Sequence, residues 1–149
     1  MSRATFEQVY SALFALAAPL VTAGTLQSAS RRWIPAANVQ PENAPALYQV
    51  QLSQKATYTQ NQPGTIWDIH ALWVVVVVQG DDTEPMTPAL NPVIDALCQQ
   101  IAPTLGQPRQ TLGGLVEYCA IEGDIEITEG QAVDRSVAFI PIRLLLAGF

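Results

Sequence analysis

Apolar positions are densest from Ile66 to Val78, where two tryptophans and five consecutive valines fall within thirteen residues. β-branched and aromatic side chains favour a strand, which would span about 43 Å at a rise of about 3.3 Å per residue. Trp67, Ile69, Ala71, Trp73, Val75 and Val77 make one wholly apolar face. Ile66, Asp68, His70, Leu72, Val74, Val76 and Val78 make the other, polar only near its start. The pattern therefore predicts a central strand, half-buried at first and then buried on both faces.

The flanking segments supply partners for it. Thr5 and Gln8 fit a capping box. Phe6, Val9, Leu13 and Leu16 follow at helical spacing, with Tyr10, Phe14 and Ala17 widening the stripe, until Pro19 ends or kinks the helix. Thr22 to Pro45 has four Pro/Gly breakers and little apolar period, so it reads as a long loop outside the fold. Ala46, Tyr48, Val50 and Leu52 alternate with Leu47, Gln49, Gln51 and Ser53, a strand with one apolar face. Asn61-Gln62-Pro63-Gly64 is a turn, so this strand and the central one form a hairpin whose polar tip, Lys55 to Gly64, projects beyond the core.

Gln79 to Pro85 is an acidic loop. Thr87 caps a second helix with Pro88 at its first position. Leu90, Val93, Ile94, Leu97 and Ile101 form its buried stripe, and Pro103 and Gly106 end it. Gly113 to Thr128 reads as a third strand with a bulge at Gly123. Glu129-Gly130 turns the chain, and Val133 to Leu146 returns as a fourth strand that Pro141 assigns to an edge or a bulge. The fold class is α+β: four main antiparallel strands with two helices packed on one face, in the order α-β-β-α-β-β, as one domain over residues 1–149.

Composition narrows the function. Charged residues are 13% of the chain, about half the usual roughly 25%, so apolar surface remains for partners. A net charge of -6 argues against ordinary nucleic-acid binding. No apolar run reaches the ~18 residues of a membrane span. Ser11 to Ala23 has the length of a signal-peptide core, but Glu7 cancels Arg3 and the helical spacing begins earlier, at Phe6. Cys98 and Cys119 lack metal-ligand spacing and read as free, buried thiols.

Candidate chemistry is sparse. The lone histidine, His70, shares a strand face with Asp68, with no nucleophile near in sequence, and reads chiefly as a satisfied histidine. Asp81 and Asp82 read as solvated rather than as a metal site. Thr111-Leu112-Gly113-Gly114 lacks the lysine and the helix of a phosphate loop. Arg31-Arg32-Trp33 is either a solvated turn or a contact site, since Arg and Trp are enriched at hot spots. Glu122, Asp124 and Glu126 admit three readings: a cation site, a solvated edge, or half of a charged subunit contact with Arg31, Arg32 or Arg109 opposite.

Several segments together carry a resemblance: Ser30-Arg31-Arg32, Pro45-Ala46-Leu47, Leu90-Asn91 with Ile94-Asp95-Ala96-Leu97, Thr111-Leu112-Gly113-Gly114-Leu115-Val116, Ile121-Glu122-Gly123 with Ile125-Glu126, and Pro141-Ile142. In this order the chain resembles the tail terminator (tail completion) proteins of long-tailed bacteriophages and prophages, from about Ser30 to Ile142. The Thr-Leu-Gly-Gly-Leu-Val stretch is the most distinctive piece. The resemblance implies a virion protein, assembled in the host cytoplasm, forming a homo-oligomeric ring, sixfold in relatives. That ring would bind the tail tube protein, stop tube growth and face the head-tail connector. DNA would pass its lumen without specific binding, and no cofactor, membrane or catalytic site is implied. Two other classes stay open: a head-closure or neck adaptor, and a small enzyme using Asp68 and His70.

Overall fold

The computed structural model describes residues 3–58, 64–78, 87–132 and 134–148. The acidic loop with Asp81 and Asp82, the Asn61–Pro63 part of the hairpin turn, and the Thr87 capping hydroxyl lie outside the described residues. The chain runs α1 (Phe6–Ala15), α2 (Ala18–Thr22), β1 (Ser28–Ser30), two short 3-10 turns, β2 (Ala46–Tyr58), β3 (Thr65–Val78), α3 (Thr87–Ile101), β4 (Tyr118–Ile121), β5 (Glu126–Ala132) and β6 (Arg135–Gly148). The fold is α+β. Its six strands make one sheet, ordered β1-β2-β3-β6-β4, with β5 also on β6; every pairing is antiparallel except β1 on β2.

β3 is the centre, as its pattern predicts. Trp67, Ile69, Ala71, Trp73, Val75 and Val77 face α1 and α3, against Val9, Tyr10 and Leu13 of α1 and Leu90, Val93, Ile94, Leu97 and Ile101 of α3. The capping box at Thr5 and Gln8 starts α1. Pro19 sits in the first turn of α2, so it begins a short second helix where the first has ended.

The strand count exceeds four for two reasons. Three residues of the long Thr22–Pro45 segment join the sheet as β1, in register with Ala46, Leu47 and Tyr48. The segment does not lie outside the fold. Val39 is fully buried on the opposite sheet face with Ala46, Tyr48, Val74, Val76 and Val137, so this arm is what buries the valine half of β3 from its second side. The Arg135 guanidinium pins the arm, donating to the carbonyls of Ala36 at 3.0 Å and Val39 at 2.6 Å.

The second reason is that the expected third strand is two. Leu112, Gly113 and Gly114 have φ of +53°, +72° and +91°, which no strand admits, so the regular strand starts only at Tyr118. The ladder then breaks between Ile121 and Glu126, where β4 and β5 share the same side of β6. Gly123 (φ +116°) sits 3.3 Å from the Pro141 ring, measured from the position of an added Cβ. Glu122 donates its amide to the Pro141 carbonyl. A strand residue aims N and C=O to the same side, so the missing Pro141 N–H falls in this gap and costs β3 nothing. Pro141 is thus at a bulge, in a strand paired on both sides. β5 keeps pairing past Glu129-Gly130, after a register shift, to Ala132 opposite Arg135.

β2 also departs from its pattern. Ala46, Tyr48 and Val50 pack under the arm, while Leu47 faces the helices. A bulge between Gln51 and Ser53 leaves Leu52 56% exposed instead of in the core. Beyond it, every residue from Gln51 to Tyr58 is exposed, so this end of the hairpin projects as expected.

Candidate subunit interface

Arg31 and Arg32 follow β1 directly, so they flank the outer side of β2. Arg31 is committed within its own chain. Its guanidinium holds the Glu7 carboxylate of α1 and donates to Gln51 Oε1 at 3.2 Å. Hydrogen bonds from Arg31 and Ser11 hold the Glu7 carboxyl below its usual range. Among the described residues the Arg32 side chain enters no ion pair, and only its backbone is tied, to Ser30 Oγ at 2.9 Å. Trp33 is 53% exposed and lips a hollow of about 220 Å3 over Val74, Val76, Val137 and Phe139.

The acidic residues lie at the opposite edge of the sheet. Glu122 accepts from Arg143 Nη1 at 2.9 Å. Asp124 and Glu126 are exposed, with no ion pair among the described residues. The structure therefore does not bring Arg31 or Arg32 to the acidic group inside one chain; it sets the two groups on the two sides of one sheet. Arg109 is exposed on the loop between α3 and β4 and borders a cavity of about 460 Å3 lined by Cys98, Ile101, Tyr118 and Cys119.

Asp68 and His70 face the same way, as their spacing predicts, with His70 Nε2 3.3 Å from Asp68 Oδ1. Their surroundings were not legible. Arg143 grips both Asp68 oxygens, Nε to Oδ1 at 2.9 Å and Nη2 to Oδ2 at 3.0 Å. That hydrogen bonding pulls the carboxyl below its ordinary value. A carboxylate so held is a weak base. Arg143 links Asp68, Glu122 and, 5.9 Å away, the Tyr118 ring into one network on the sheet face. No signal short of the β3–β6 register would have found it. Among the described residues no three His, Cys, Asp or Glu groups converge as metal ligands.

The chain matches no family model and no curated protein.

The most partner-ready features are strand edges. β1 covers β2 only at Ala46–Tyr48. Among the described residues no strand pairs with the outer side of β2 beyond that, nor with the outer side of β5. An uncovered edge presents a row of free amides and carbonyls, a template for another chain. Leu52 and Tyr58 on β2, and Ile127 on β5, add exposed apolar surface to these edges.

Proposed function

We propose that the chain is a structural virion protein that forms a ring at the head-proximal end of a phage tail tube, stops tube growth and presents the surface that joins the head. The observation that carries this reading is the distal β2–β3 hairpin. Its β2 half is exposed on both faces over eight residues, a costly arrangement for an isolated chain and a sensible one for a subunit. The resemblance over Ser30 to Ile142 supports it. Its most distinctive stretch has a physical rationale here. Thr111 accepts the amides of Gly114 and Val116 through its carbonyl, which turns the chain tightly enough for Leu112 and Val116 to plug the core.

A net charge of -6 suits a lumen through which DNA slides without sticking. The Asp68–His70 pair supports an enzyme poorly, because Arg143 occupies both oxygens of the carboxylate. Its role is to tie β3 to β6. An Ala substitution at His70 should leave assembly intact; loss of assembly would show that the pair belongs to a contact.

Cosedimentation with isolated tail tubes and with portal complexes tests the reading. A terminator pellets with tubes. Pelleting with portal complexes alone would instead make the chain a head-closure or neck adaptor.

A further inference from the structure

We propose that copies of this chain join by strand addition, the distal edge of β2 in one copy pairing antiparallel with the outer edge of β5 in the next. This rests on the reading of the chain as a ring subunit, and it names the contact.

The backbone decides which groups each edge offers. Glu117 donates to the Leu145 carbonyl and Glu122 to the Pro141 carbonyl, so odd-numbered residues of β6 point their polar groups toward β4 and β5. Glu126 lies opposite Phe139 and Thr128 opposite Val137, so both bond inward. Ile127, between them, aims its N–H and C=O outward. The even residues of β6 serve β3, which leaves the even residues of β3 for β2. Ser53, Lys55 and Thr57 lie opposite His70, Asp68 and Ile66 and bond inward. Gln54, Ala56 and Tyr58 therefore aim outward. The bulge at Leu52 resets this run, so Ser53 to Tyr58 is a straight edge of six residues.

Direction and chemistry agree with the pairing. β2 runs with β6, and β5 runs against it. A neighbour related by rotation about an axis inclined to the strands keeps its sense, so its β2 meets β5 antiparallel. Outward residues pair with outward residues, Ala56 with Ile127 or one step away. With Ala56 opposite Ile127, Lys55 sits diagonal to Glu126, and with Gln54 opposite Ile127 it sits directly across from it, in both cases within reach of long side chains. Lys55 shares a sheet face with Asp68, and Glu126 shares the same face with Phe139. Lys55, rather than Arg31, is thus the cation that meets the acidic edge. Two complementary edges on one chain make a heterologous contact, whose natural occupant is a second copy.

The edges are offset. Ala56 is level with Leu146 through Trp67, and Ile127 is level with Ala138, eight residues along β6, or about 26 Å. Rotation alone joins them only if strands tilt against the ring axis, as closed sheets require.

Ala56→Pro and Ile127→Pro each remove one outward N–H and no ladder bond within the chain. Sedimentation velocity should show native rings, and each variant alone reduced to monomer with an unchanged circular-dichroism spectrum. An equimolar mixture of the two variants should give a dimer and nothing larger, since each supplies the edge the other lacks. Rings that persist in either variant, or a mixture that stays monomeric, would overturn strand addition and leave the ring itself standing. A native protein that never exceeds monomer, free or on tubes, would overturn the ring reading and this contact with it. Should a proline variant lose the native spectrum, charge decides. Lys55→Glu and Glu126→Lys should each weaken assembly at low salt and together restore it; a double variant no better than the singles overturns the pairing.

Discussion

Gln49 holds Trp73 inside the core: the indole Nε1–H donates to Gln49 Oε1 at 3.0 Å, and Gln49 Nε2 donates to the Tyr10 carbonyl at 2.9 Å. The amide is 2% exposed and joins β2, β3 and α1 at one point. Gln49→Leu keeps the bulk and strands the indole N–H, which should cost about 1–3 kcal/mol. Urea unfolding should show a lower midpoint at constant slope. An unchanged midpoint would mean the indole finds another acceptor.

The Asp68–Arg143 pair predicts a pH signature. Hydrogen bonding from Arg143 lowers the folded carboxyl below its unfolded value. Its stabilisation is therefore present above the unfolded value and is lost as pH falls through the lower, folded one. Asp68→Asn should reduce stability at neutral pH by about 1 kcal/mol, a figure discounted for solvent screening. The gap to the native protein should close only in acid, below the ordinary carboxylate range. A gap that closes near neutral pH would contradict this assignment to the Asp68 carboxylate.

Arg135→Ala should free the arm without unfolding the sheet. Its two bonds to the Ala36 and Val39 carbonyls bind a segment that otherwise has little regular structure. Limited proteolysis between Arg32 and Pro45 should speed up severalfold while far-ultraviolet circular dichroism stays native. Unchanged cleavage would show that Val39 burial alone holds the arm.

What the sequence made legible follows local physics. The odd and even faces of β3, the stripe of α3 and the capping box at Thr5 are periodic or contiguous signals, and each element forms where its pattern puts it. Gly123 and Pro141 were readable as breakers. That they face each other across β4, β5 and β6 was not, because only register reveals it. The arm was illegible for a different reason: Val39, the residue it buries on the face of the sheet away from the helices, has no apolar neighbours at a regular period, and it is held by an arginine 96 residues away. Gln49 reads from sequence as part of the polar face of β2, and its burial was hidden because its partners, Tyr10 and Trp73, are tertiary. Among candidate contact residues, the Arg31 doublet looked available from sequence, and Glu7, the residue that engages it, lies 24 positions earlier.

The two cysteines are free. Burial pushes the Cys119 thiol up to about 12, and burial together with Asp95 raises that of half-buried Cys98. Alkylation of the native protein at mildly alkaline pH should modify Cys98 first and leave Cys119 until unfolding exposes it. Two thiols should titrate in denaturant without reductant. Simultaneous loss of both in the native state would contradict the burial of β4 against α3.

Electron microscopy of the purified protein mixed with isolated tail tubes decides whether the chain caps tubes. Rings are expected, with one ring seated on a single end of each tube and no further growth when tube subunits are added. Tubes that bear no ring and continue to lengthen at both ends would contradict the capping role.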